Sequence, residues 1–347
     1  MTDTVIAVTL LWIFVMIYAV AASIDFGAGF WSMVYLNHEK TRATNIANRY
    51  LSPSWEVTNV FIVLIVVALV TFFPGAIYTL GSVLMIPVSL VLLLLLIRSA
   101  FLVFSHLIDE YHKMLSIVSG ITGFLIPALL ILVLPITQGG FIKVVKDVPM
   151  LDFMGLLTSP HAFSYIGLAV TSTLFLSSLL LSDYSHVSGA TQAFKIYRRD
   201  AILIGPVTLL MAILTLQTMR LENGWLYDKI FDNLPWLVAS AVFFFLCYIF
   251  LLLPQRAKIG LSLPRLSVIC ALIQYLLASY AYGAAHLPYI VYPDITIESG
   301  FTDHATFHAL FVSYIVGFAI LIPGFIYFWR MFMKDENYLR QRPKQKT

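Results

Sequence analysis

The chain has 347 residues, 60% of them hydrophobic and 11% charged, with a mean hydropathy of +0.89. A soluble domain carries about 25% charged residues, so that class is excluded, and so much apolar content excludes intrinsic disorder. Two cysteines and 18 glycines exclude a disulfide scaffold and a collagen-like repeat, which leaves an all-α polytopic membrane protein.

Nine apolar segments follow one another at 5–35, 57–73, 77–97, 114–134, 161–181, 201–219, 235–253, 262–285 and 305–331. A membrane-spanning helix needs about 20 apolar residues, so each is read as one span. Barrel strands would alternate over roughly ten residues, and 83–97 shows no alternation. No linker rich in Gly, Pro or Ser interrupts the series, so residues 1–347 read as a single integral membrane domain. The first 37 residues hold no Lys or Arg, and a secretory signal needs a positive leader. The first segment is therefore expected to be a retained span.

Lys and Arg orient the spans. With the N-terminus outside, the inner segments 36–56, 98–113, 182–200, 254–265 and the tail after 329 hold 17 of the 21 basic residues, and the outer segments hold 4. This bias predicts an outside N-terminus and a cytoplasmic C-terminus in the cell membrane, with the basic tail near anionic lipid. The pI of about 8.7 reflects that distribution rather than nucleic-acid binding.

Local signals mark several ends. In 51–56, Ser52 suits a helix N-cap and Pro53 the first helical position, so the second helix is expected to start there, with Glu56 in its first turn. Pro87, Pro127, Pro206 and Pro323 are expected to bend their helices. The longest outer loop, 135–160, carries Lys143, Lys146, Asp147 and Asp152, and 285–294 reads as an interfacial aromatic belt. Cys247 and Cys270 fall inside spans and read as small buried apolar side chains.

Charge within a span is costly, about 2.5–3.5 kcal/mol for an Asp at the bilayer centre. Asp25 lies about 20 residues, or about 30 Å, into the first span, in its inner half. Gly27 and Gly29 beside it permit close helix approach, so Asp25 is expected to face protein, as a functional carboxylate or as a structural hydrogen-bonding group. Glu56 opens the second span and Arg98 ends the third, where a helix-start carboxylate and an interface anchor are the plainer readings. All three lie on consecutive spans in the inner half. Such an acid–acid–Arg cluster has the chemistry of a proton entrance, the Arg favouring an ionised carboxylate.

The histidines carry less. His38, His106, His112 and His186 lie on the inner side, and His161, His286, His304 and His308 near the outer. His304 and His308 share a helix face, but no metal-binding motif or carboxylate accompanies them in sequence, so no metal site is expected. No mid-span pair suits bis-histidine haem ligation.

The sequence then resembles a known family. Tyr18-Ala19-Val20 with Ile24-Asp25-Phe26-Gly27-Ala28-Gly29 is similar to the (F/Y)DxGxG signature in the first helix of subunit II of cytochrome bd-type quinol oxidases. Trp55-Glu56-Val57-Thr58-Asn59-Val60-Phe61 resembles that family's WDxNxVW opening of the second helix, Ile97-Arg98 with Phe101 its FR segment, and Pro288-Tyr289 with Tyr292-Pro293-Asp294 its closing region. The resemblance covers essentially the whole chain. It implies two four-helix bundles plus one peripheral helix, and a heterodimer with a haem-bearing subunit I. Small single-helix accessory subunits occur in some members. It implies oxidation of membrane quinol and reduction of dioxygen to water. Two b-type haems, one d-type haem and the quinol site then belong to the partner, and this chain binds no haem, though a structural quinone or lipid is open. Asp25 and Glu56 become proton-route candidates, with Arg98, Trp55, Asn59, Gly27 and Gly29 supporting them. The sequence departs from the pattern at Ala22, where many members have an acid, at Phe61 in place of a second Trp, and at Glu56 in place of Asp. Two other readings stand beside this one: a proton-coupled secondary transporter, and a purely structural or assembly subunit.

Overall fold

The computed structural model describes residues 2–36, 43–105, 112–253 and 262–333. Fourteen helices and two short hairpins follow in chain order. The first part runs α1 (Asp3–Val34), α2 (Ala43–Phe72), α3 (Pro74–Val83), α4 (Met85–Ser105), α5 (His112–Leu130) and α6 (Val133–Thr137). A hairpin, β1 (Ile142–Val145) and β2 (Val148–Leu151), leads to α7 (Phe153–Thr158), α8 (Pro160–Val187), α9 (Thr191–Glu222), α10 (Gly224–Asp232), α11 (Leu234–Leu252) and α12 (Leu263–His286). A second hairpin, β3 (Tyr289–Val291) and β4 (Ile295–Thr296), precedes α13 (Ile297–Gly300) and α14 (His304–Met333).

All nine apolar segments of the sequence lie within or largely within these helices. By length and composition, seven described helical stretches can cross a membrane, and the bent α3–α4 pair makes up to eight. The third segment carries the bend expected at Pro87 as a full break: it is interrupted at Leu84, with an 80° bend between α3 and α4. Pro87 explains the position of the break. Its ring would clash with the carbonyl four residues earlier, at Val83, and in the first turn of α4 its missing N–H costs nothing. Pro127, Pro206 and Pro323 lie inside α5, α9 and α14.

The expected start of the second helix is also corrected. α2 begins at Ala43, not near Ser52. Ala43, Ile46 and Ala47 form an apolar stripe that buries against Trp31, Tyr35 and Tyr197, and Tyr197 Oη donates to the Ala43 carbonyl at 2.8 Å. That burial outweighs the local stop-and-start signal of Ser52-Pro53.

α1 is the hub, packing against α2, α5 and α8, while α8 pairs with α9, α11 with α12 and α4 with α5. Asp25 to Gly29 are buried all round the α1 helix. Missing side chains make this contact. A Cβ on Gly123 of α5 would lie 2.2 Å from the Phe26 carbonyl oxygen, and one on Gly27 would lie 2.1 Å from Ser177 Oγ of α8. Without a hydrophobic drive between helices in lipid, such close approach supplies the van der Waals contact that holds them. Large apolar side chains face outward instead, as Val63, Val66 and Val70 of α2 and Leu92, Leu93 and Leu96 of α4 do. Cys247 and Cys270 are buried and unbridged.

The end of the bundle that carries the α1 N-terminus is closed by the short elements. Lys146 and Asp147, both at positive φ, turn β1 into β2, and Lys143 pairs with Asp152 at 2.5 Å. That contact, with the Gly155 N–H, holds the Asp152 carboxyl below its ordinary range. Asp152 caps α7 and Ser159 caps α8, where Pro160 occupies the first helical position. The 285–294 segment, expected as a simple aromatic belt, forms the second hairpin, and Tyr292 stacks on Trp225 at 4.1 Å between ring centroids.

Replacing Gly123 by Ala is expected to push α1 from α5 and cost about 1–3 kcal/mol. Gly81→Ala, with nothing within 4 Å of the added Cβ, serves as the control. Thermal unfolding of the two purified variants checks the difference; equal midpoints would sink the packing argument.

Candidate functional site

Asp25 sits at the buried contact of α1 with α4 and α5, 3% exposed, and Arg98 reaches it from α4, 2% exposed. Arg98 Nη2 lies 3.4 Å from Asp25 Oδ2 and donates to the Asp25 carbonyl at 2.9 Å. Its Nη1 donates to the Ser119 carbonyl and Ser119 Oγ, both at 2.8 Å, with Thr122 Oγ1 at 3.4 Å. The guanidinium also lies 5.4 Å from the Phe26 ring centroid. Gly29 makes this possible, because a Cβ there would stand 2.9 Å from Arg98 Nη1 and 2.5 Å from Ser119 Oγ. The interface-anchor reading of Arg98 is therefore corrected. The residue does not end its helix, which runs on to Ser105, and its charge is buried against acceptors of two neighbouring helices.

Of the three residues expected to cluster, the structure brings Asp25 and Arg98 together. Glu56 and Trp55 lie on α2, but their side chains fall outside the described residues. Asn59, three positions beyond Glu56, is half-buried on the same helix. Gly27 and Gly29 do what the sequence assigned them, each replacing a side chain with a neighbouring helix.

A row of polar groups that the sequence reading missed continues from this pair toward the α1 C-terminus. Ser32, two helical turns after Asp25, contacts Asn48 Oδ1 of α2 at 2.5 Å and Ser116 Oγ of α5 at 3.1 Å. Ser116 and Ser119 stand on one face of α5, both 1% exposed. Beyond them, Tyr35 donates to Asp200 at 2.5 Å, and Arg199 closes on both. Asp183 pairs with Arg265 at 3.1 Å between α8 and α12. Serines in helices are common packing residues, so no spacing rule singles these out.

A second polar centre lies near the opposite end. Gln138, fully buried, donates from Nε2 to Tyr165 Oη at 2.7 Å and Tyr282 Oη at 2.9 Å. Its Oε1 accepts from Asn223 at 3.3 Å and meets His161 Nε2 at 2.7 Å. With the amide so oriented, His161 carries its proton on Nε2, and Nδ1 faces Thr218 Oγ1 at 3.1 Å. Glu222 accepts from Ser159 Oγ at 2.6 Å and from the His161 N–H at 3.2 Å, neutralising the positive start of α8.

No sequence motif gives His304 and His308 a carboxylate partner; the structure supplies one. Asp3 of α1 brings Oδ2 within 2.8 Å of His304 Nδ1 and 3.2 Å of His308 Nε2. The partner is 301 residues away in sequence, beyond any local motif. Both contacts land on one oxygen, a hydrogen bond from His304 and a close approach by His308 that tie α14 to α1. Among the described residues no group of three or more His, Cys, Asp or Glu is arranged to hold a metal ion.

A family model described as cytochrome bd terminal oxidase subunit II matches residues 3–332. The chain belongs to that family. It is a multi-pass cell-membrane protein and a subunit of a respiratory quinol oxidase complex. It is 55% identical over 341 residues, covering 98% of each chain, to a Bacillus subtilis (strain 168) protein described as "putative cytochrome bd menaquinol oxidase subunit II". It also matches a chain of the bd oxidase structure from Geobacillus thermodenitrificans, with 37% identity, a TM-score of 0.81, and coverage of 96% of this chain and 100% of that one.

Arg98→Met is expected to strand the buried Asp25 charge and cost about 3–5 kcal/mol. Asp25→Asn should cost less, because Arg98 keeps the carbonyls of residues 25 and 119. Gln138→Leu should cost about 3 kcal/mol through the donors and acceptors it leaves unpaired. Thermal unfolding in detergent ranks the three; an Asp25→Asn loss exceeding that of Arg98→Met would overturn the assignment of Arg98 as the more demanding charge.

Proposed function

We propose that this chain is the non-haem subunit of a quinol:dioxygen oxidoreductase, supporting a haem-bearing subunit I and contributing a cytoplasm-facing proton route. The observation that carries the proposal is the buried Asp25–Arg98 pair, with Oδ2 3.4 Å from Nη2. A carboxylate is retained at such depth only with a partner or a use, and Arg98 gives Asp25 a charged partner in the interior. Glu56 is assigned a place on the same route, one helix away on α2. The proposal places the N-terminus outside and the tail inside, in a single integral membrane domain of nine spans arranged as two four-helix bundles and one peripheral helix.

The partner is assigned two b-type haems, one d-type haem and the quinol site. These haems would supply electron transfer and dioxygen reduction. The histidines described here suit other tasks: both His161 ring nitrogens have side-chain partners, and His304 and His308 engage Asp3. Protons for water formation would enter from the cytoplasm through this chain, while quinol releases its own outside. Charge then crosses the membrane without a pump. A structural quinone or lipid and a small single-helix accessory subunit complete the proposed assembly.

The complex purified through this chain should bring a haem-bearing partner, show b- and d-type bands in reduced-minus-oxidised spectra, and consume oxygen with quinol. A chain that purifies alone without oxygen uptake would defeat the proposal. Glu56→Gln and Asp25→Asn should each lower oxygen uptake about tenfold or more, as expected for a lost proton-transfer group, with haem content intact. Unchanged turnover in the double variant would remove both from the proton route and leave a structural subunit.

A further inference from the structure

We propose that the buried hydroxyl row Ser32–Ser116–Ser119, opened by Asn48, is the relay that delivers protons to Asp25. The inference rests on the proton route proposed above and names its internal groups. Its starting observation is a buried helical serine that, among the described residues, bonds only across helices. Hydroxyls inside helices commonly bond back to their own turn, as Thr122 does to Val118, Ser177 to Thr173 and Ser178 to Phe175. Ser32 instead bonds across helices, to Asn48 of α2 at 2.5 Å and Ser116 of α5 at 3.1 Å. It is fully buried, while Asn48 is half-buried at the end of the bundle where the basic segments gather.

The row has the spacing a relay needs. Ser116 and Ser119 are three residues apart on α5, about 4.5 Å along the axis, a gap of the size that one water can span. Ser119 Oγ holds Arg98 Nη1 at 2.8 Å, and Arg98 Nη2 reaches Asp25. Arg98 Nε is buried without a protein acceptor among the described residues, and a buried donor of this kind is suited to a water. Seven residues separate Asp25 from Ser32 on α1, about 10 Å, so the row covers two helical turns.

Each link conserves protons. A hydroxyl accepts one proton on a lone pair and releases its own to the next group, since it is both donor and acceptor. Asn48 orients the Ser32 hydroxyl and does not transfer a proton itself; Ser32 takes its proton from a water reaching the half-buried Asn48 side of the row. Arg98 stays protonated throughout and carries no proton itself; a water on its Nε–H would take the proton from Ser119 and pass it to Asp25, which ends the sequence as a neutral carboxylic acid. Asp25 returns to the anion when it hands that proton on.

The test uses the whole oxidase complex reconstituted in liposomes, with the proton-uptake phase of voltage generation, quinol-driven oxygen uptake in H2O and D2O, and haem spectra as readouts. Ser32→Ala and Ser116→Ala should each slow proton uptake about tenfold and enlarge the solvent isotope effect, with haem content unchanged. Ser178→Ala, which loses only a bond within its own helix, should match the parent protein. A structural role would lower haem content or thermal stability without changing the isotope effect. If Asp25→Asn slows uptake while both serine variants retain the parental rate, the relay is overturned and the Asp25 route stands. If Asp25→Asn also retains the parental rate, the underlying route falls, and the relay falls with it.

Discussion

A guanidinium buried where three helices meet sets the terms for the rest of the molecule. Arg98 cannot shed its proton, so each buried N–H needs an acceptor, and a missing one costs more than an ordinary hydrogen bond contributes. Its acceptors come from α1 and α5: the Asp25 carboxylate, two backbone carbonyls and the Ser119 hydroxyl. They converge only because α1 presents Gly29, and α5 presents Gly123, where other residues would hold the helices apart. The glycines and the charge thus explain one another: the charge would be intolerable without close packing, and the packing surrounds it.

Two polar centres occupy the bundle, and they are built differently. Around Gln138 the donors and acceptors are neutral and mutually matched, with both amide hydrogens and the amide oxygen engaged. Such a network fixes the positions of α8, α9, α10 and α12 beneath the hairpins. Around Arg98 the groups carry charge and are joined to a row of hydroxyls leading to the bundle end. The first arrangement suits rigidity; the second sets charge beside exchangeable hydroxyls.

Much of this was legible in the residues themselves. Hydropathy gave the helical segments, because a spanning helix must satisfy its backbone internally and present apolar side chains outward. Asp25, Gly27 and Gly29 stood out because an acid beside two small residues has few uses in an apolar span. Other features depended on distant partners. The burial of Arg98 depends on Ser119, 21 residues away, and the carboxylate for His304 and His308 comes from the other end of the chain. The early start of α2 was hidden because the local capping signal at Ser52 pointed one way and the packing of Ala43 and Ile46 on Tyr197 another. Gln138 sits just after an apolar run, where a polar residue looks like an ordinary boundary.

The 80° break at Leu84 carries a consequence for what can vary in this chain. It gives α4 a fixed origin, and Arg98 lies 13 residues after Met85, about 20 Å along the helix. Inserting or deleting one residue in that stretch would turn the guanidinium about 100° away from Ser119. Exchanging one outward-facing leucine for another apolar residue would not move it at all. The stretch between Met85 and Arg98 therefore works as a ruler: its length carries the information, and most of its letters are interchangeable.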